Sequence, residues 1–304
     1  MMVTETLVPT HTKQQETETF TTAVTNTPTS TPSKTLEPGF SYDEAVESIL
    51  YLLTINGDCT LPCWIGFTPG VSTRDDVNNF IHRYQSVIGG TRIYEEEQKI
   101  YVKIPPLPNG VTLEIIFEIG DNLVIAVNPC IHMTRPVGDE HWYTFDDPVF
   151  FEVTGAYRLD SILTQFGEPT DILFRSFKVG AQGFPSATQL YYHRKGVVVE
   201  YISENYGTVI DEAGRDTGQI ITNPANGHVC FILLPENASL SPEYLNSNFL
   251  NGTEEWADQA FRPLEEVTNM TIDTFYKIYL TPHSQEYIFT DESLWPYNPA
   301  GEVK

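Results

Sequence analysis

Val111-Thr112-Leu113-Glu114-Ile115-Ile116-Phe117-Glu118-Ile119-Gly120-Asp121-Asn122-Leu123-Val124-Ile125-Ala126-Val127 is the stretch that decides how this chain folds. Val111, Leu113, Ile115, Phe117 and Ile119 alternate with Thr112, Glu114 and Glu118. That period of two predicts a strand with one buried face and one largely wet face. Gly120-Asp121 offers the residue types of a tight hairpin connection, and Asn122 to Val127 reads as the returning strand. Lys99 to Ile104 reads as a third strand beside them. The core architecture is therefore an antiparallel sheet.

Working outward, two helices precede these strands. Ser41 and Glu44 have capping-box spacing, and Ala45, Ile49, Leu50, Leu52 and Leu53 follow as a broad apolar face ended by Gly57. A second helix is expected from Ser72, capped with Asp75, carrying Val77, Phe80, Ile81 and Tyr84 on one stripe and stopped by Gly89-Gly90. The pattern recurs downstream. Leu159, Ile162, Leu163 and Phe166 repeat the stripe, and strands follow at Ile172 to Val179, Gln189 to His193 and Val197 to Ile202, with Lys195-Gly196 in the hairpin position. The stripes lie 82 residues apart and the hairpin strands 76 apart, a difference one loop absorbs. A last strand, His228 to Leu234, precedes helices capped by Thr253 (carrying Trp256, Ala257, Ala260 and Phe261) and by Thr271 (carrying Phe275, Tyr276 and Tyr279). The expectation is an α+β fold of two tandem helix-plus-antiparallel-sheet units, 39–135 and 136–235, with a helical C-terminal extension at 236–304.

Residues 1–38 differ in kind. Thirteen of the first 35 residues are Thr, interrupted by prolines, so this segment has too little apolar surface to fold and reads as a disordered, extended tether. Its alternative is a dispensable tail. Residues 1–12 lack a basic region followed by an apolar run, so no signal peptide is expected within this chain, and contact with a membrane would come only through an N-terminal anchor that it does not contain. No run of about 18 apolar residues predicts a membrane-spanning helix. The formal net charge of −24 repels phosphate backbones and excludes nucleic acid as a partner.

Ile65-Gly66-Phe67-Thr68-Pro69-Gly70-Val71-Ser72-Thr73, leading into a helix, and Leu159-Asp160-Ser161-Ile162-Leu163-Thr164-Gln165-Phe166-Gly167-Glu168-Pro169 together resemble the helix signature of SmpA/OmlA-type outer-membrane lipoproteins and of the related β-lactamase-inhibitor-protein fold. The resemblance spans residues 41 to 235. It implies helices paired with small antiparallel sheets, often in tandem, in proteins that bind other proteins and are not enzymes. The first unit departs from the signature where Gly89-Gly90 replaces the glycine-x-proline after the helix, and no binding residue carries over. Cys59-Thr60-Leu61-Pro62-Cys63-Trp64 is similar to a segment of bacterial lipoproteins with Thr/Pro tethers.

Four cysteines bear on compartment. Cys59 and Cys63 flank a proline turn; a disulfide there suits an exported chain, with free buried thiols and a metal as the alternatives. Cys130 and Cys230 fall in or beside strands and either bridge across the sheet or stay buried and free. The seven histidines show no ligand-pair spacing on one helix face, so no metal is expected, and no cofactor fingerprint, phosphate loop or nucleophile elbow is present. The aromatic-dense run from Glu140 to Phe151 is either packing between the units or a contact patch; Trp142, Tyr143 and Phe145, with Trp64, are the nominated contact residues. The functional expectation is a non-catalytic, extracellular or envelope-tethered protein that binds another envelope or extracellular protein. The alternatives are a small-ligand sensor domain and a hydrolase whose site is assembled from distant residues.

Overall fold

The structure, a computed structural model, describes residues 38–298 except 95–97, 138–139, 144–147, 177, 180–185, 204, 211–215, 239–260, 283 and 296. The Thr/Pro-rich segment up to residue 37, the helix expected after Thr253 and the contact residue Phe145 lie outside the described residues.

The first helix, α1 (Tyr42–Ile55), starts where the sequence places it. The Ser41 amide and hydroxyl donate to the Glu44 carboxylate at 2.9 and 2.6 Å. α1 buries Ala45, Ile49 and Leu53 and ends at Asn56, whose left-handed φ of 52° breaks the helix one residue before Gly57. Helix α2 (Arg74–Arg83) is capped by Thr73 and Asp76, one residue later than expected. The Thr73 amide donates to Asp76 at 2.8 Å and the Asp76 amide returns to the Thr73 hydroxyl at 3.3 Å. Ser72 is engaged elsewhere: its hydroxyl accepts from the Thr68 amide at 2.9 Å and its carbonyl from the Val124 amide at 2.8 Å.

Four strands follow: β1 (Gly90–Tyr94), β2 (Lys99–Ile104), β3 (Val111–Gly120) and β4 (Leu123–Val137). The β3–β4 connection turns on Asp121 and Asn122, with φ of 50° and 65°, and Gly120 pairs with Leu123. Two consecutive left-handed residues make the primed two-residue turn whose twist matches the strands. It lies one residue beyond the expected Gly120-Asp121. β4 also runs past the expected end at Val127, through Pro129, to Val137. A proline in a pattern argues for a strand end, yet Pro129 keeps its place opposite Ile115. The distal end of β4 pairs with β5 (Glu140–Tyr143).

Helices α3 (Pro148–Val153) and α4 (Leu159–Phe166) lead into β6 (Asp171–Ser176), β7 (Lys178–Val179), β8 (Ser186–Tyr192), β9 (Val197–Ser203), β10 (Asn205–Ile210), β11 (Asp216–Thr222) and β12 (His228–Leu233). The β8–β9 connection is a short helical turn closed by Gly196 at φ 63°, where a Cβ would stand 2.5 Å from the Leu234 carbonyl oxygen, so only glycine fits.

The strands expected of two separate sheets lie in one. Its order is β1-β2-β3-β4-β12-β9-β8-β6, with β13 (Arg262–Pro263) on the far edge and β5 beside β4, ten strands in all. The class is α+β, with both helical pairs preceding their strands. The C-terminal region is not purely helical. Besides α5 (Leu264–Val267) and α6 (Ile272–Tyr279), it contributes β13, β14 (Ile288–Asp291) beside β11 in a three-stranded sheet, and β15 (Tyr297–Asn298) parallel to β7. These strands are too short to show a period. Thr271 caps α6 as expected, accepting from the Thr274 amide at 3.2 Å.

One face of the large sheet carries the main core. Val102, Ile115, Phe117, Ile131, Val199 and Phe231 pack with Leu53, Val77, Ile162 and Leu163 of the helices. Each such side chain contributes about 1.5–3 kcal/mol when fully buried. The opposite face of β3 is not wet as expected: Thr112, Ile116 and Glu118 are all buried. Ala126, Tyr191, Val198, Ile232 and Leu234 form a second, smaller apolar cluster. The large and three-stranded sheets meet at a ring of buried hydroxyls. Ser186 lies 3.0 Å from Ser203 and 2.6 Å from Thr222, and Ser203 lies 2.7 Å from Thr222. Three hydroxyls, each donating once and accepting once, satisfy one another.

Candidate functional site: a cysteine and histidine row across the central strands

β4 and β12 are remote in sequence and adjacent in the sheet. Cys130 stands opposite Cys230, and Ile131 opposite Val229. Alternate residues share a face of a strand. Cys130 and His132 therefore sit on the face that carries His228 and Cys230 from the neighbouring strand. Ile131 and Val229 point the other way, into the main core.

Cys130 and Cys230 form a disulfide with a Cα–Cα distance of 4.1 Å. The two sulfurs and a ring nitrogen of His132 all lie within 4.8 Å of one another. His132 Nδ1 is 3.4 Å from His228 Nδ1, with the rings edge to face at 5.3 Å. His228 is buried, accepts the Met133 amide on Nε2 at 3.4 Å, and has the Phe150 ring 5.6 Å from its own. Burial pushes the His132 pKa down to about 4, and the Lys103 charge adds to the shift. The imidazole is therefore neutral at pH 7, with a lone pair to offer.

Carboxylates flank the row. Glu114 is opposite Cys130 and Glu200 is opposite Cys230. Each has its own cation: Lys103 lies 2.7 Å from Glu114, and Arg175 lies 3.3 Å from Glu200. Glu200 is fully buried, and burial raises its pKa against the opposing pull of Arg175 and a 3.4 Å hydrogen bond from Gln189. Arg175 stacks over the Phe261 ring at 4.4 Å. Among the described residues its Nε and Nη1 have no hydrogen-bond partner. Burying such a pair costs desolvation on both sides, which offsets what the link from β6 to β9 across the intervening β8 contributes.

The other disulfide, Cys59–Cys63, closes a short loop with a Cα–Cα distance of 5.7 Å. Asn56 holds that loop from inside. Its Nδ2 donates to the Cys59 and Cys63 carbonyls at 2.7 and 2.9 Å. Its Oδ1 accepts from the Ile65 amide at 3.1 Å and from the Tyr157 hydroxyl at 2.9 Å. Tyr157 in turn accepts on its carbonyl from the Tyr201 hydroxyl at 2.9 Å. A polar chain thus runs from the first loop to β9.

One nominated contact residue lies in the core. Trp64 is fully buried beneath this loop and presents no surface to a partner. Its indole belongs to the main core cluster, the more common fate of a lone tryptophan. Trp142 and Tyr143 lie on β5, opposite Arg135 and Thr134. Both expected cysteine pairings are present. The sequence reading missed the meeting of His132 with His228. Its signal was there, Cys-x-His at 130–132 and His-x-Cys at 228–230, but only the strand pairing reverses one against the other.

No helix among the described residues is long and apolar enough to cross a membrane, which together with two disulfides is compatible with an extracellular or envelope location. Compared with known protein families, with curated proteins and with solved structures, the chain matches none of them.

Proposed function

We propose that this chain is a non-catalytic protein-binding module, tethered in the cell envelope by its Thr/Pro-rich segment and built from two tandem helix-plus-sheet units. The observation that carries this reading is the strand order. Two runs of helix, helix and strands, β1-β2-β3-β4 and β6-β8-β9-β12, progress inward from opposite edges and meet at their last strands. That is the arrangement expected when a duplicated unit joins its copy along an edge, and it leaves each copy's loops free to carry recognition.

The recognition surface in this reading is the end of the sheet where the loop before α2 is stitched to the start of β4. Gly70 donates to the Val124 carbonyl at 2.7 Å, Val124 to Ser72 at 2.8 Å, and Arg74 to Asn122 at 3.0 Å. Val71, Leu123 and Ile125 stand out from that backbone, 69%, 37% and 44% exposed. The irregularity between Glu118 and Ile119 leaves Ile125 as the extra residue of β4. Exposed aliphatic side chains on a rigid backbone suit the apolar centre of a protein interface. The partner is another envelope or extracellular protein.

The test is cross-linking capture from envelope extracts with the full chain, alongside a Val71→Asp/Leu123→Asp/Ile125→Asp variant of equal thermal stability. A discrete partner held by the parent chain and lost by the variant supports the reading. Equal capture by both, no capture, or turnover of generic esters, glycosides or peptides contradicts it.

A further inference from the structure

We propose that Cys130, Cys230 and His132 form a binding site for a soft divalent cation of the zinc(II) kind when the disulfide between the two cysteines is reduced. The site goes beyond the proposed binding role and does not depend on it.

The argument starts from what a disulfide needs. Two opposed cysteines on paired strands suffice for a covalent staple, and nothing in that role calls for imidazoles. Yet two histidines stand one position along on the same face, with Nδ1 atoms 3.4 Å apart. Thiolate and imidazole are the ligand types that hold zinc, at about 2.3 Å for sulfur and 2.0–2.1 Å for nitrogen, so ligand atoms around a tetrahedral ion stand about 3.3–3.8 Å from one another. The two sulfurs and the His132 nitrogen already lie within 4.8 Å of one another. A small parting of the sulfurs and a rotation of the imidazole bring all three to coordinating distance. Three protein ligands leave a fourth position for water or a substrate group.

His228 accepts the Met133 amide on Nε2, so its Nδ1–H faces His132 Nδ1, and the rotation that turns the His132 imidazole toward the sulfurs breaks that contact. Glu114 and Glu200 stand on either side of the cysteine pair, each ion-paired, with Lys103 and Arg175.

Oxidised and metal-bound states exclude each other. A thiol or phosphine reductant supplies two electrons, and with two protons the S–S bond becomes two thiols, while the reductant is oxidised to its disulfide or phosphine oxide. The cation then displaces both thiol protons to solvent and binds the two thiolates.

The experiment uses the full chain with Cys59→Ser/Cys63→Ser, so that thiols arise only at 130 and 230; the unsubstituted chain with Cys230→Ser as control serves equally if that variant does not fold. The protein is reduced with a phosphine under native conditions and titrated with cobalt(II), then zinc(II). The expected result is one equivalent of cobalt with sulfur charge-transfer absorption in the near ultraviolet and tetrahedral bands in the visible, bleached by zinc. Both signals are absent from the oxidised chain and after Cys230→Ser. His132→Gln lowers the affinity at least tenfold and shifts the visible bands. A reduced, folded chain that takes up no cobalt overturns the proposal, as does equal uptake by the oxidised chain or loss of the fold on reduction.

Discussion

The two disulfides of this molecule do different work although both join cysteines that the fold brings close. Cys59–Cys63 spans 4 residues and Cys130–Cys230 spans 100. In the chain-entropy account the short bridge removes about 2 kcal/mol worth of unfolded freedom and the long one about 4.7 kcal/mol. Their surroundings differ in the same sense. The short loop would keep its shape without sulfur, because Asn56 ties both its carbonyls and Ile65 to Tyr157. The long bridge sits where β4 and β12 meet, and there the side chains beside it are a pair of histidines. One cysteine pair is redundant with a hydrogen-bond network, and the other joins the two halves of the sheet.

That contrast can be broken in several ways. Cys130→Ala/Cys230→Ala is expected to cost about 4–5 kcal/mol in denaturant unfolding, the largest single effect in the molecule. Asn56→Ala is expected to cost about 3 kcal/mol, since it strands the Tyr157 hydroxyl and the Ile65 amide in the core. Cys59→Ala/Cys63→Ala is expected to cost less than Asn56→Ala, about 2 kcal/mol, and a reversal of that order would show that the sulfur bridge holds the loop.

Acidification should act through the long bridge's neighbour. His132 has a folded pKa near 4 against an ordinary 6.5. The unfolded chain takes up this proton first, so stability falls as pH drops from about 6.5 to about 4 and is unaffected by this group above that window. At pH 5 the loss is about 2 kcal/mol relative to pH 7, and His132→Gln should remove that share of the slope. The smallest effect belongs to the hydroxyl ring: Thr222→Val leaves Ser186 and Ser203 bonded to each other and is expected to cost about 1 kcal/mol.

The sequence carried the local structure of this protein well. The alternation in Val111–Ile119 named a strand, the Ser41/Glu44 box named a helix start, and the Thr271 cap named another, because each is decided by residues within a few positions of one another. It failed where distant segments decide. The polar phase of β3 read as wet, yet Thr112, Ile116 and Glu118 are buried. The returning strand read as ending at Val127, and β4 carries Pro129 in the middle of the sheet with Ile115 paired opposite. β12 inserts between β4 and β9, a choice made by edge pairing across some hundred residues and written in no local period. The same pairing creates the cysteine and histidine row. Cys130–Cys230 was one of the expected pairings, but the histidines read as isolated because their partners lie 96 positions away. For Trp64 packing and contact both stood open, because a tryptophan suits both an interface and a core and residue type alone does not separate them; the fold buries it.

The most direct test of the account is the pairing of the four cysteines. The chain, produced in an oxidising compartment, would be alkylated unreduced in denaturant, digested and its linked peptides identified by mass. The expected result is no alkylated cysteine, one linked pair joining the peptide of Cys130 to that of Cys230, and a Cys59–Cys63 bridge within one loop. Either of Cys130 and Cys230 joined to 59 or 63 would mean that β4 and β12 do not meet as described, and the two-halved sheet would fall with them; free thiols at 130 and 230 would contradict the bridge itself.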